Sequence, residues 1–324
     1  MSTNVRYDGY KIIVAVLLLG ILPLLFLGSP FRQRLLVLFL VFSLFTLSLD
    51  IVFGHTDQLF LFMGALAGVG AYTTALTADF FGVTPWLTIL LGALFAGTVG
   101  LIVSYVAARR RLTVILISIL TLSLQLAFME FFIGARDITG GSTGFRFSGL
   151  EIGFVGNALN LNSTIVLYYT LLVVLTVVLF LYYWLINSRF GLAFRAIRED
   201  EVAAESSGID VIKYKTVAGF TSAFIIGFVG PLYVQLESYI LPSMFSFQSV
   251  DVMVLIMLVL GGRRTIFGPI VGAGLVIYIN NIVLSNYLQS ISQWTTAIFG
   301  FMLIVLFLYF RRGIVPALTD VVRG

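Results

Sequence analysis

What most constrains this chain is a succession of long apolar runs, at 12–28, 35–53, 59–78, 85–107, 112–133, 164–186, 216–236, 247–261, 266–285 and 294–310. An α-helix needs about 20 apolar residues to cross roughly 30 Å of hydrocarbon. The runs therefore read as ten candidate spans. The alternating segments of about ten residues that build a membrane β-barrel are absent. Composition agrees: 60% of the 324 residues are hydrophobic and 10% charged, with a mean hydropathy of +1.07. Soluble domains carry about 25% charged residues to cover their surface. The expected fold is all-α, a polytopic transmembrane helical bundle of about ten spans, with residues 1–324 forming one domain. The first run is longer than a signal-peptide core and no cleavage pattern follows it, so it is expected to be a retained helix.

The residue inventory excludes several chemistries. There is no cysteine and a single histidine, His55, so thiolate sites and histidine metal clusters are ruled out. Lysine occurs only at Lys11, Lys213 and Lys215, none in a G-x-x-x-x-G-K-[ST] loop. The chain is not itself a P-loop ATPase, and it shows no constellation for nucleophilic or acid–base catalysis. The net charge of +4 sits in short clusters between apolar runs, where it sets topology rather than binding nucleic acid.

Arg109–Arg111, Arg263–Arg264, Arg311–Arg312 and the basic residues of 187–215 all fall on one side if each later run crosses once. The positive-inside rule makes that side cytoplasmic and, counting back, puts both termini inside. Arg32 and Arg34 then face outward. They would face inward if the glycine-rich run 59–78 were re-entrant, which would move the N-terminus outside; ten crossings is the preferred count. Two five-span halves would have opposite orientation, as in inverted-repeat transporters.

Two loops are long. Residues 134–163 are expected outside and 187–215 inside. The stretch 188–215 holds five basic and five acidic residues, more charge than any other part of the chain. It is rich in helix formers from Leu192 to Ser206, and Gly208 suits the left-handed position after a helix. One reading is a solvated loop with locally paired charges. The other is a docking helix whose small apolar face (Ala196, Ile197, Ala203, Ala204) enters a groove on a cytoplasmic partner. His55 reads as a loop residue. The glycines at 92, 97, 100, 268, 272 and 274 read as sites of close helix approach, and 139–144 as a tight turn.

The segment R-A-I-R-E-D-E-x-A-A-x-x-x-G-I, from Arg195, resembles the coupling loop of permease subunits of ABC importers, in particular those of the branched-chain amino-acid family (LivM/LivH type). Gly70-Ala71-Tyr72-Thr73-Thr74-Ala75, the loop Thr139–Gly144, and Leu260-Gly261-Gly262 with Gly268-Pro269 and Gly272-Ala273 resemble the family's other motifs, in the same order. Asp50 stands where that family usually has Asn, and Arg264 where it usually has Gly.

The resemblance implies a permease that passes branched-chain or other small amino acids from an extracytoplasmic binding protein to the cytoplasm of a cell with a plasma or inner membrane. It further implies two cytoplasmic ATPase subunits that bind the ATP, a second homologous permease, and no cofactor in this chain. It assigns ATPase coupling to Arg195, Arg198, Glu199, Asp200, Glu201, Ala204 and Gly208. A urea or short-amide permease of the same family, or an ion-coupled secondary transporter, are the alternatives. Charges inside a bilayer cost several kcal/mol and face cavities or partners, so Asp50 and Glu237, with Tyr72 and Thr121, are the candidate substrate-path residues. Glu130 reads as interfacial, and Asp251 as a first-turn residue of its own helix.

Overall fold

A computed structural model describes residues 3–26, 28–147, 149, 150, 162–237, 239–283, 300 and 313–317. Among these residues the protein is a bundle of helices. In chain order they are α1 (Thr3–Ile21), α2 (Pro30–Leu49), α3 (Met63–Phe81), α4 (Pro85–Arg109), α5 (Val114–Gly134), the one-turn α6 (Arg136–Thr139), α7 (Ser163–Asn187), α8 (Arg189–Glu199), α9 (Glu201–Ser206), α10 (Val211–Val234), α11 (Met253–Gly261) and α12 (Gly268–Tyr278). Among the described residues, six segments are long and apolar enough to cross a membrane: Gly9–Phe26, Pro30–Gly54, Pro85–Arg109, Val114–Gly134, Ser163–Asn187 and Val211–Val234. They correspond to six of the ten runs, and the chain is a multi-pass helical membrane protein. The runs at 59–78, 247–261 and 266–285 overlap α3, the segment Gln248–Gly261 and α12; apart from residue 300 the run at 294–310 lies outside the described residues, as does 151–161 of the long loop.

Local sequence sets the helix starts. Pro30 and Pro85 stand at first-turn positions, where the missing N–H costs nothing and φ is already helical. Asp200 caps α9 by accepting from the N–H groups of Val202 (2.8 Å) and Ala203 (3.0 Å), and Asp210 caps α10 through the N–H of Lys213. Gly82 closes α3 at φ +60°.

Lipid gives no hydrophobic reason for helices to associate, so small residues and close backbone contact carry the packing. α3, α4 and α10 meet through glycines: a Cβ at Gly70 would lie 2.1 Å from the carbonyl oxygen of Gly227, and one at Gly92 2.4 Å from that of Gly70. Helix α2 runs through the core and buries Leu40, Leu44, Phe45 and Leu47. Helix α5 stands at the periphery, with only Ile117, Thr121, Gln125 and Phe132 buried. Among the described residues three π-helical turns adjoin the helices, Asp50–Gly54 after α2, Gln248–Val252 before α11 and Ile279–Val283 after α12; the first two each carry one buried aspartate. Such turns recur at functional sites.

The two ends of the bundle differ. One gathers Arg111, Arg198, Lys215, Arg263 and Arg264. At the other, Arg34 pairs with Glu237, and the two-residue strands β1 (Phe145–Arg146) and β2 (Tyr239–Ile240) pair antiparallel. The loop 139–144 is a tight turn, as expected: Gly140, Gly141 and Gly144 all have positive φ, and the Thr139 hydroxyl donates to the carbonyl of Phe132 at 2.7 Å.

Candidate functional site

Two buried polar centres stand out, one midway along the bundle and one at its arginine-rich end. The first is built on the start of α3. Residues 57–62 run into the interior without helical structure, and α3 begins among fully buried neighbours, Phe60, Phe62 and Met63. A helix start leaves N–H groups unpaired, and deep in a bundle water cannot satisfy them. Here other segments do so. Asp251 accepts from Met63 N–H (2.6 Å) and Gly64 N–H (3.3 Å). Gln125, midway along α5, accepts from Ala65 N–H at 2.7 Å and donates its amide to the carbonyl of Phe245, also at 2.7 Å. Thr121 accepts from Leu61 N–H at 3.0 Å.

Asp251 thus caps a helix other than its own, which differs from the expectation of a local first-turn role. Its π turn aims the carboxylate across the bundle at α3. Tyr72 lies further along α3, its ring 4.8 Å from that of Phe132 and 6.4 Å from that of Phe245; its hydroxyl is buried with no hydrogen-bond partner among the described residues.

The second centre is Asp50. Its carboxylate accepts from the hydroxyl of Tyr182 and from the backbone N–H of Arg264 (3.0 and 3.2 Å). The Tyr182 oxygen lies 2.9 Å from His55 Nε2. Because the hydroxyl proton goes to Asp50, His55 donates through Nε2. Arg264 adopts φ +65°, donates from Nε to the carbonyl of Gly54 at 2.7 Å, and lies 3.5 Å from Asp57. His55 lies just beyond the last residue of its span. Burial, and then the positive field of Arg198, Arg264 and Arg195, pushes it down to about 4, so it is neutral at physiological pH. Burial and the neighbouring Arg264 also lower Arg198 from the usual arginine range.

Helices α8 and α9 lie against this end. Phe194 of α8 is fully buried, its ring 6.4 Å from that of His55 and 6.3 Å from that of Tyr214. Ile197, Ala204 and Val211 pack together. Two of the four residues expected to enter a partner's groove, Ile197 and Ala204, are therefore buried inside the protein, where they fasten α8 and α9 to α10. Ion pairs add to the attachment: Glu201 with the nearly buried Lys215, and Glu205 with Arg111 at 2.7 Å. Arg195 reaches the carbonyl of Ile186 at 3.2 Å, Asp200 serves as a cap, and Gly208 has φ +84° after α9, as its sequence position suggests. Leu192, 57% exposed, with Arg195 and Glu199 on α8, and Val202, 63% exposed, with Ala203 on α9, face outward. A polar cleft of about 290 Å³ opens beside these helices, lined by Thr56, Asp57, Thr113, Arg198, Glu199 and Lys215 among others.

The structure thus brings Thr121 close to Asp251 and Gln125, with Tyr72 farther along α3. It sets Asp50 at the arginine-rich end and Glu237 at the opposite end, paired with Arg34. Gln125, Tyr182, Leu192 and Val202 escaped sequence reasoning. A glutamine in the middle of an apolar span was a readable signal for the first, and an apolar residue off the buried stripe of α8 for Leu192.

Comparison with known proteins assigns the family. Residues 31–307 match the family described as branched-chain amino acid transport system / permease component. The chain belongs to this family. It is 24% identical over 326 residues to the high-affinity branched-chain amino acid transport system permease protein LivM of Escherichia coli, covering 94% of this chain and 75% of that protein. The Salmonella typhimurium LivM is 25% identical, over 86% of this chain and 68% of its own length. A probable branched-chain amino acid transport permease protein, LivH, of Methanocaldococcus jannaschii is 28% identical, over 70% of this chain and 71% of its own. No solved structure gives a significant match.

Proposed function

We propose that this chain is the membrane-spanning permease subunit of an ABC importer that passes branched-chain amino acids to the cytoplasm. Its partners are two cytoplasmic ATPase subunits, a second permease and an extracytoplasmic binding protein, and ATP is bound by the partners. The observation that carries this reading is the pair α8–α9. It is anchored to the bundle by Phe194, Ile197 and Ala204, yet turns two large apolar residues, Leu192 and Val202, outward among charged ones. An apolar centre with a polar rim is the anatomy of a protein interface. Arg195, Glu199 and Ala203 border it, Arg198 lines the cleft beside it, and Asp200, Glu201, Ala204 and Gly208 hold its shape.

The arginine-rich end is cytoplasmic by the positive-inside rule. Ten crossings follow if α3, the segment Gln248–Gly261, α12 and the run at 294–310 complete the six long spans. In that count α3 lies in the third span and Gln248–Gly261 is the eighth. α3 begins inside the bundle, the π turn that opens Gln248–Gly261 reaches that point through Asp251, and the two segments occupy equivalent places in two inverted five-span halves. Transporters of that design bind cargo where broken helices meet near the midplane. This supports a path near Tyr72, Thr121 and the start of α3, with Asp50 and Glu237 near its two ends.

The test is reconstitution in proteoliposomes with the ATPase, the second permease and the binding protein encoded beside it. Leucine uptake should require ATP and all partners, and Val202→Glu should abolish co-purification of the ATPase while the permease stays monodisperse. Gradient-driven uptake by this chain alone would refute the reading in favour of a secondary transporter. ATP-driven uptake of urea without leucine uptake would move the cargo to short amides.

A further inference from the structure

Helix α8 touches the bundle at a point from which an unbroken series of contacts leads to the start of α3. Phe194 meets the ring of His55 at 6.4 Å, tilted 31°. His55 meets the ring of Tyr182 at 5.6 Å and donates to its hydroxyl at 2.9 Å. Tyr182 donates to Asp50, and Asp50 accepts from the backbone of Arg264. Arg264 lies in the turn that ends α11. Helix α11 continues the π turn that carries Asp251, and Asp251 holds the first N–H groups of α3. His55, Phe194, Tyr182, Asp50 and Asp251 are all buried, and the exposed Arg264 joins the series through its backbone N–H. The nine residues of α11 make a rod of about 13 Å.

We propose that His55 is a positioning residue that couples α8 to the interior of the permease, so that displacement of α8 moves the Arg264 turn and, through α11, the Asp251 cap on α3. The proposal rests on α8 and α9 being the surface that the ATPase engages. The histidine ring does two things that one other side chain does not combine: it packs against Phe194 and donates to Tyr182. Its Nε2 proton is directed because Tyr182 spends its own proton on Asp50. Gly54, which ends the Asp50 turn, keeps this junction tight, since a Cβ there would lie 2.0 Å from an Asp50 carboxylate oxygen.

The experiment uses the full complex in proteoliposomes and measures amino acid transported per ATP hydrolysed, with co-purification of the ATPase scored on the same preparations. Tyr182→Phe removes one oxygen and keeps the ring, which preserves the fold. His55→Phe keeps the contact with Phe194 and loses the hydrogen bond. Each should lower the transport-to-hydrolysis ratio by about tenfold, within the usual range for coupling between sites. The double variant should fall no further than either single one, because both cut the same connection. His55→Gln, whose amide can donate to Tyr182, should recover part of the lost ratio.

A wild-type ratio in Tyr182→Phe or His55→Phe, with the ATPase still bound, would overturn the relay alone. So would effects that multiply to about a hundredfold in the double variant, the product expected of independent sites. Absence of the ATPase from wild-type preparations would instead overturn the docking reading.

Discussion

Replacing Asp251 tests whether the interior of this bundle is held by a cap delivered from another helix. Asp251→Ala leaves the N–H groups of Met63 and Gly64 buried and unpaired. Both positions are buried, so the two donors cannot turn to bulk solvent. An unsatisfied buried donor costs about 1–3 kcal/mol. The Gly64 contact is long at 3.3 Å and belongs at the low end; the Met63 contact at 2.6 Å belongs at the high end. Loss of a favourable group at a helix start adds about 0.5–1 kcal/mol. The expected total is about 4.5–5 kcal/mol.

Asp251→Asn keeps one acceptor for Met63 but turns an amide N–H₂ toward Gly64. It should cost less, about 1–2 kcal/mol. Equilibrium unfolding in mixed detergent and SDS micelles measures both, and hydrogen exchange at residues 63–65 locates the effect. Opening of those amides should accelerate more in Ala than in Asn. A loss below about 1 kcal/mol for Ala, or equal losses for Ala and Asn, would refute the reasoning, because neither fits two buried donors deprived of a carboxylate.

Three further outcomes follow from the same geometry. Gly70→Ala must push α3 and α10 apart, because the new Cβ meets backbone atoms of Gly227 at 2.1–2.7 Å; it should cost about 3 kcal/mol in the same unfolding assay, whereas Gly134→Ala, in open space, should be near neutral. Arg264→Gly removes left-handed strain while losing two side-chain contacts and should stay within about 1 kcal/mol of the wild type; a branched residue at φ +65° is strained, so Arg264→Val should cost about 2 kcal/mol or more, and equal values would count against the strain. His55 lies below its ordinary value in the folded protein, so its neutral form is the one that folding favours: that stability is complete above about pH 6.5 and is lost as the pH falls toward 4. Unfolding at pH 5 against pH 7.5 should show a loss of about 2 kcal/mol that His55→Gln abolishes, and an unchanged slope in that variant would refute the assignment.

The apolar runs were legible because a span is a length and composition signal, and six of them appear as long helices with ends close to those read from the sequence. The start of α3 was not. The run at 59–78 is continuous in hydropathy, and nothing in Leu59-Phe60-Leu61-Phe62 announces that the helix waits until Met63. That boundary is set by acceptors 60 to 188 residues away, Thr121, Gln125 and Asp251, and long-range pairing leaves no local periodicity to read. The glycines at 92 and 272 were readable as packing sites because lipid removes other reasons for a small residue. Their partners were not readable, since any helix could have met them. Segment 188–210 could be read as helical and charged, but not by face. Its ten apolar side chains divide between an anchor and an outward surface, and only the position of α10 decides which are which.

The two aspartates inside the bundle show how far a residue-type argument reaches. Asp50 was expected to face a cavity or a partner, because an uncompensated charge in hydrocarbon is too costly, and Asp251 to sit in the first turn of its own helix. Both have partners, and in each case these are largely backbone N–H groups: Met63 and Gly64 for Asp251, and Arg264 for Asp50 together with the Tyr182 hydroxyl. A carboxylate satisfied by backbone holds a chain segment in place, which is a structural task that needs no cargo. The aspartates stand on opposite sides of one short helix, Asp251 beside its start and Asp50 against the turn beyond its end. Any movement of α11 along its axis must therefore strain or release both at once. That geometry favours two discrete positions over a continuous slide, since partial displacement breaks hydrogen bonds in the interior without offering water to replace them.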